Sequence, residues 1–158
     1  MADALSMAAD IIKEFEGFSA TPYQCPAKVW TIGYGSTRDL DGNAVSAKTP
    51  PVTRTQATSL LMRDISGAMR DVERRVQVYI TAPQKAALIS FVYNLGSGAF
   101  GGSTLLRKLN ASDYKGAADE FPKWVYSAGK LLNGLVRRRN MERDIFLKDT
   151  LHKDVKLT

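Results

Sequence analysis

The spacing of the apolar residues changes abruptly at Gly17. Before this glycine, apolar side chains recur at three- and four-residue intervals, at Leu5, Ala8, Ile12 and Phe15. This spacing predicts a helix over residues 3–16, with Glu16 in its last turn. After Gly17, prolines and glycines interrupt short runs of β-forming residues such as 29–32, which is typical of a small antiparallel sheet. The chain therefore begins with one helix that leads into a β segment.

The β segment contains one clear turn signal, Asp41-Gly42-Asn43. Glycine and asparagine tolerate the positive φ of a tight hairpin, so we expect one strand near 28–35 and its partner near 43–47. Two consecutive prolines, at 50 and 51, end this segment. These signals define a small β lobe at about residues 17–52.

Helical patterns fill the rest of the chain. Residues 53–56 have the form of a capping box, which opens a long helix predicted over about 54–79. A helix of that length spans roughly 39 Å, enough to join two lobes. A more hydrophobic helix begins at Thr81 and Pro83 and ends at the glycines that follow Leu95. Shorter helices are expected at 103–109, at 112–121 with Ser112 as its cap, around Trp124, and at 135–147.

The resulting fold class is α+β, in a single domain. It comprises the β lobe at 17–52, the interlobe helix at 54–79 and a helical lobe at about 81–148, packed with the helix at 3–16. With 158 residues, 44% of them hydrophobic, the chain can bury a substantial core, so intrinsic disorder is excluded. Two lobes joined by a helix leave a cleft in which extended ligands bind.

Several kinds of chemistry lack the residues that they need. Cys25 and His152 are the only cysteine and the only histidine, so the clustered ligands of a zinc or iron site are missing. We expect no metal and no cofactor. The sequence has no Gly-x-Ser-x-Gly nucleophile elbow, and Gly33-Tyr34-Gly35 lacks the third glycine of a dinucleotide-binding loop.

The chain carries a formal net charge of +6, with most of the excess Lys and Arg in its second half. A basic surface favours an anionic polymer as partner, such as nucleic acid, a lipid surface or an acidic cell-wall glycan, although it also serves solubility alone. Charged residues interrupt the first 20 positions, which leaves no run suited to a signal peptide or a membrane span. We therefore expect a cytoplasmic start and no stable membrane insertion.

One constellation of polar residues remains, formed by Glu16, Cys25 and Thr31 with eight and five residues between them. A carboxylic acid at a cleft, beside apolar neighbours such as Phe15 and Trp30, is suited to protonating a glycosidic oxygen. The spacing alone leaves open that Glu16 is an ordinary surface residue at a helix end.

The residues around this constellation resemble the catalytic region of bacteriophage endolysins of glycoside hydrolase family 24, which includes the T-even-phage lysozymes. The family pattern is Glu, eight residues, Asp or Cys, five residues, Thr, and the chain fits it without a gap. The resemblance continues through 86–96, 103–110 and 134–139. It implies a lysozyme-like fold and a muramidase that hydrolyses the β-1,4 bond between N-acetylmuramic acid and N-acetylglucosamine in peptidoglycan, which lyses the host cell.

The resemblance also implies roles for the three residues. Glu16 is expected to be the general acid, Cys25 to position a water on the opposite face of the sugar, and Thr31 to help hold that water. If the enzyme inverts, the catalytic side chains should lie about 6.5–9.5 Å apart. An ordinary thiol is only about 3% ionised at neutral pH. Cys25 is therefore a water-orienting thiol, which we favour, a thiolate, or a buried structural residue.

Further residues match family positions outside that constellation. Tyr93 and Asn94 are expected to contact sugar, although Tyr93 also suits core packing. Thr37 and Thr104 are candidate hydroxyl contacts with the substrate. Arg137 is expected to approach Glu16. For its two neighbours, Arg138 and Arg139, a solvated basic face is the simpler interpretation.

The chain departs from the family at one position of this region. Where the family often has Gly-His-Thr, the chain has Gly35-Ser36-Thr37, so an ion pair that the histidine makes is missing. We expect this change to affect the stability of the β lobe and not catalysis.

Three other functions compete with hydrolysis. A lytic transglycosylase cleaves the same bond but leaves an anhydro sugar, and a catalytically silent domain of this fold would bind peptidoglycan without cutting it. A nucleic-acid binder built on residues 137–139 is disfavoured because no helix-turn-helix is evident, so we expect no nucleic-acid partner. The favoured endolysin would act as a monomer and remain in the host cytoplasm until a separate holin opens the inner membrane.

Overall fold

The computed structural model describes the backbone of residues 3–157 and the side chains of residues 3–148. The side chain of His152 therefore lies outside the described part. The elements, in chain order, are α1 (Ala4–Glu16), β1 (Ser19–Gln24), β2 (Trp30–Gly33), α2 (Arg54–Arg75), α3 (Ala82–Leu95), α4 (Ser97–Gly101), α5 (Thr104–Asn110), α6 (Tyr114–Ala118), a 3-10 turn (Phe121–Lys123), β3 (Tyr126–Ser127), β4 (Lys130–Leu131) and α7 (Asn133–Leu157). The predicted α+β class is confirmed.

Helix α3 forms the centre of the core. Its residues 86–92 are all buried, and it packs against α1, α2 and α7. A helix without a polar face belongs in the interior, because any exposed side would leave apolar surface in water. The C-terminal end of α3 leaves this core, which brings Tyr93 and Asn94 towards the surface. None of the helices among the described residues has the length and apolarity needed to cross a membrane.

Helix α2 begins as predicted but ends earlier. Thr53 and Gln56 form the capping box, with each side chain bonded to the backbone of the other residue. The helix stops at Arg75 instead of residue 79, because the amide side chain of Asn110 donates to the Arg75 carbonyl at 3.0 Å and accepts from the Gln77 N–H at 2.7 Å. The division into lobes at 17–52 and 81–148 remains a prediction.

The predicted strand pairing is wrong. Strand β2 pairs antiparallel with β1, and not with a strand at 43–47. The turn at Asp41-Gly42 does form, but it closes only one isolated bridge, between Arg38 and Ala44. Gly33 and Gly35, both at positive φ, turn the chain sharply after β2. The strand therefore cannot continue to residue 35.

The region after α5 also differs from the prediction. Helix α6 ends at residue 118, and its cap is Asp113, whose side chain accepts from the Gly116 N–H at 2.9 Å. Ser112 instead occupies a left-handed conformation just before this cap. A second hairpin, β3–β4, turns at Ala128-Gly129 with both residues at positive φ, as a tight hairpin requires. Helix α7 follows, beginning two residues earlier than predicted.

Candidate active site

Glu16 is the last residue of α1, where the chain turns from helix to strand. Gly17 makes this turn at φ +70, and its N–H donates to the Lys13 carbonyl at 3.3 Å. This conformation favours glycine because a side chain there meets backbone atoms. The helix end presents the Glu16 carboxyl, whose side chain remains 25% exposed.

Arg138 holds one oxygen of this carboxyl. Its Nη1 donates to Glu16 Oε2 at 2.8 Å, and the Arg138 side chain is only 4% exposed. The expectation for Arg137 is therefore wrong. Arg137 is exposed, and its guanidinium lies over the ring of Phe15 at 5.3 Å. Successive residues of a helix point about 100° apart, so the residue that reaches the Glu16 carboxyl is the next one along α7.

Arg138 belongs to a buried network of charges. Arg139 and Glu142 are fully buried, and Arg139 donates from Nη1 to Glu142 Oε1. The hydroxyl of Ser90, on α3, donates to Glu142 Oε2 at 2.5 Å. The interpretation of Arg138 and Arg139 as a solvated basic face is thus wrong, because Glu142 supplies the buried counter-charge that makes their burial tolerable.

The network reaches the end of α3 through Arg139. Its Nη2 donates to the side-chain oxygen of Asn94, and its Nε donates to the Trp124 carbonyl at 3.0 Å. The side-chain oxygen of Asn94 is therefore engaged. Its NH₂ group, which carries two donors, is the part of the amide that suits a ligand.

Cys25 closes the turn between β1 and β2. Its N–H donates to the Val29 carbonyl at 3.0 Å, and its own carbonyl accepts from the Lys28 N–H at 2.7 Å. The residue is half-buried, so the interpretation as a buried structural cysteine is wrong. Hydrogen bonding with the backbone of Val29, and to a lesser extent with Ala27 and Thr31, lowers the pKa of the Cys25 thiol in spite of desolvation. These contacts raise the thiolate fraction at a given pH.

Thr31 and Tyr23 face each other across the β1–β2 pair. Thr31 is 4% exposed, and its hydroxyl donates to the Val29 carbonyl at 3.0 Å, which leaves its oxygen lone pairs as acceptors. Burial, followed by the negative charges of Glu16 and Cys25, raises the pKa of Tyr23. Both groups therefore lie within electrostatic reach of the Tyr23 phenol.

Tyr93 packs against the core and places its hydroxyl near Glu16. Its hydroxyl donates to the Tyr34 carbonyl at 3.2 Å. Burial raises the pKa of Tyr93, with the negative charges of Asp64 and Glu16 acting in the same direction, so the phenol stays neutral. A β-carbon built on Gly35 would lie 3.1 Å from the Tyr93 hydroxyl and 3.2 Å from Glu16 Oε1. Tyr93 thus packs against the core, as predicted, with its hydroxyl near Glu16.

A groove of about 510 Å³ opens beside Glu16. Asn94, Arg137 and Arg138 line it together with Glu14, Phe15 and residues 132–135. Of the predicted site residues, five do not line this groove: Cys25, Thr31, Thr37, Tyr93 and Thr104. Thr37 is exposed directly before the Arg38–Ala44 bridge, and the hydroxyl of Thr104 accepts from Arg107 Nη2 at 3.2 Å.

The chain is similar in sequence to known proteins. The sequence model of the family described as Phage lysozyme matches residues 13–142. The chain belongs to the phage lysozyme family. An endolysin of Acyrthosiphon pisum secondary endosymbiont phage 1 is 39% identical over 140 residues, which cover 86% of this chain and 92% of that protein. A SAR-endolysin of Enterobacteria phage PA-2 is 39% identical over 133 residues, which cover 84% of this chain and 77% of that protein.

A solved structure agrees with these sequence relatives. The endolysin from Escherichia coli O157:H7 phage FAHEc1 superimposes with a TM-score of 0.82 at 35% identity, covering 90% of this chain and 92% of that one. Membership of the phage lysozyme family makes the protein a glycoside hydrolase of the endolysin type, with muramidase activity. The predicted family and function are confirmed.

Ser36 stands at the position where the family often has histidine, and it joins the lysozyme's β segment to α2. The hydroxyl of Ser36 donates to Asp64 Oδ2 at 2.7 Å, which ties the turn after β2 to α2. Ser36 is fully buried and Asp64 partly so. A hydrogen bond to a charged acceptor thus joins the segment after β2 to α2.

Sequence reasoning missed the buried charges of the lysozyme. A signal was present, because Arg138, Glu142 and Phe146 follow one another at four-residue intervals and therefore share a helix face. That face is the buried one, whereas the apolar residues Val136 and Met141 of the same helix are only partly buried. An acidic residue that lies four positions from a basic residue and four from an apolar one, on the same helix face, indicates a buried ion pair.

Proposed function

We propose that this phage lysozyme hydrolyses the β-1,4 bond between N-acetylmuramic acid and N-acetylglucosamine in peptidoglycan, with Glu16 as the general acid. The observation that carries this proposal is the position of Glu16, which lines a groove while Arg138 holds its Oε2 at 2.8 Å. Among the described side chains, Glu16 Oε1 has no hydrogen-bond partner. Oε1 is therefore the oxygen available to the substrate.

The reaction needs one proton donor and one oriented water. Glu16 gives its proton to the bridging oxygen as the bond from that oxygen to the anomeric carbon breaks. A water oxygen forms the new bond to the anomeric carbon and loses its proton to solvent. The Cys25 sulfur and the lone pairs of Thr31 hold this water, and Glu16 regains its proton from solvent.

Asn94 and Tyr93 are proposed sugar contacts. Asn94 lines the groove with its side-chain oxygen already bonded to Arg139, so its NH₂ donates to a sugar oxygen. The Tyr93 hydroxyl lies near Glu16, since a β-carbon built on Gly35 would meet both groups, and it is the part of Tyr93 proposed to reach a sugar oxygen. Thr37 and Thr104 do not line the groove. Their predicted contacts are therefore with sugars of the glycan that lie further from the cleaved bond.

Loss of turbidity in bacteria with a permeabilised outer membrane tests this assignment. Wild type should clear the suspension, Glu16→Gln should abolish clearing, and Cys25→Ser should retain measurable activity. Equal losses in both variants would reject a merely water-orienting role for Cys25. Binding to purified peptidoglycan without any clearing by the wild type would favour a silent binding domain.

The route to the wall is the finer part of the proposal. We infer that the protein waits in the cytoplasm and reaches peptidoglycan through a holin, as a monomer. The SAR-endolysin name of the PA-2 phage relative defines the alternative, export by signal-anchor-release. Expression without a holin should lyse cells only after the inner membrane is permeabilised, whereas spontaneous lysis would favour export.

A further inference from the structure

We propose that Glu142 is a positioning residue that sets the orientation of both Glu16 and Asn94. This inference rests on the proposed roles of those two side chains. Glu142 touches neither of them. It lies fully buried on α7, bonded through one oxygen to Arg139 and through the other to Ser90 and, at 3.4 Å, to Arg138. Each arginine then contacts one of the two groove residues.

The first branch runs through Arg138. Its Nε faces Glu142, its Nη2 donates to the carbonyl of Ser90 at 3.2 Å and to the Ser90 hydroxyl at 3.3 Å, and its Nη1 donates to Glu16. A guanidinium is planar, so fixing two of its nitrogens also fixes the direction of the third. Glu142 and Ser90 therefore determine where the Arg138 Nη1 holds Glu16 Oε2.

The second branch runs through Arg139. Its Nη1 donates to Glu142, its Nε to the Trp124 carbonyl and its Nη2 to Asn94. The same planarity fixes Nη2 against the Asn94 oxygen, which selects one of the two orientations of the amide. The orientation selected leaves the NH₂ of Asn94 as the donor for substrate.

The charges of the network balance. Its role in orienting Glu16 and Asn94 can therefore be distinguished from its contribution to the stability of the fold. Two guanidinium groups, of Arg138 and Arg139, meet two carboxylates, of Glu16 and Glu142. Hydrophobic residues of similar volume stabilise a fold as well as such a buried group of charges does. Hydrophobic residues, however, cannot orient the polar side chains of Glu16 and Asn94 towards the groove. The two branches therefore predict separate kinetic effects, on kcat through Glu16 and on KM through Asn94.

Steady-state kinetics on soluble, uncross-linked peptidoglycan chains test the proposal. Glu142→Gln should lower kcat about 10- to 100-fold, because displacement of a catalytic group by about 1 Å has effects of that size. The same variant should raise KM several-fold. Arg138→Met should lower mainly kcat, and Arg139→Met should raise mainly KM. In the Arg138→Met background, Glu142→Gln should lower kcat no further, since the path to Glu16 is already cut.

Glu120→Gln is the matched control. Glu120 is also buried, at 4% exposed, but it pairs with Lys108 at 3.0 Å and Lys123 at 2.7 Å, and neither lysine lines the groove beside Glu16. This variant should keep kcat and KM within about twofold of wild type while losing some thermal stability. If Glu142→Gln fails to fold, Ser90→Ala carries the test, because it removes the hydroxyl between Glu142 and Arg138 and should lower kcat several-fold.

Two results would overturn the proposal. One is a folded Glu142→Gln, or in its place a folded Ser90→Ala, with unchanged kcat and KM. The other is a kcat loss that multiplies fully in the double variant, as independent structural damage does. An inactive wild type, or a fully active Glu16→Gln, would instead refute the proposed function.

Discussion

A β-carbon on Gly35 would lie 3.2 Å from Oε1 of Glu16. The backbone after β2 therefore lies directly against the oxygen to which we assign proton donation. Gly35 has φ +102, a conformation that residues with side chains rarely adopt. The position needs glycine for two separate reasons, backbone conformation and close approach to the carboxyl.

Gly35→Ala should therefore damage both stability and catalysis. Backbone strain of this kind costs about 1–3 kcal/mol, and displacement of Glu16 should lower kcat at least tenfold. Gly42→Ala is the matched control, because Gly42 has φ +85 but a β-carbon there meets nothing within 4 Å. It should lose stability and keep kcat. Equal kcat values for the two variants, measured below both unfolding temperatures, would show that Gly35 does not position Glu16.

Cys25 should titrate at a lower pH in the folded protein than in the unfolded chain. Hydrogen bonding with the backbone of Val29 favours the thiolate and lowers the pKa of the Cys25 thiol below its ordinary value. Because the folded pKa is depressed, the associated stability is present above the unfolded pKa and is lost as pH falls through the folded pKa. Thiolate absorbance near 240 nm, followed against pH with and without denaturant, measures both midpoints.

The same titration has an internal control. Thr31→Val removes a side-chain contact that lowers the pKa of the Cys25 thiol, and should move the folded midpoint upward, towards that of the denatured chain. Coincident midpoints for the folded and denatured wild type would contradict the hydrogen-bonded environment of Cys25.

Ser36→Ala should destabilise the enzyme without inactivating it. The change leaves Asp64 without the hydroxyl that donates to it at 2.7 Å, and such bonds to charged groups contribute about 1.5–3 kcal/mol. Ser66→Ala is the control, because the Ser66 hydroxyl donates only to the Met62 carbonyl of its own helix. Urea unfolding should show a clearly larger loss for Ser36→Ala, and equal losses would mean that the Ser36–Asp64 bond does not support the β segment.

Local signals predicted the helices well. The capping box at Thr53 begins α2 as expected, and the apolar run through Phe91 forms the central helix. The end of α2 was not predictable, since the side chain that terminates it, Asn110, comes from 35 residues further along the chain. Strand pairing failed for a similar reason, because alternation identifies a strand but not its partner.

The candidate site was likewise predictable only in part. Glu16, Cys25 and Thr31 were identified from a motif of fixed spacing. Arg138 was missed by one position, because neighbouring residues of α7 point in different directions. Helical periodicity assumes that buried positions are apolar, so the burial of Glu142 was invisible without the contacts from α3 and α1 that neutralise the network.

The mass of the fragments released from purified peptidoglycan tests the central claim most directly. Hydrolysis adds one water for each bond cleaved, so wild type should release fragments that end in a reducing N-acetylmuramic acid, and Glu16→Gln should release none. Anhydro ends from the wild type, or hydrated fragments formed at wild-type rate by Glu16→Gln, would contradict an enzyme in which Glu16 protonates the leaving oxygen and water completes the reaction.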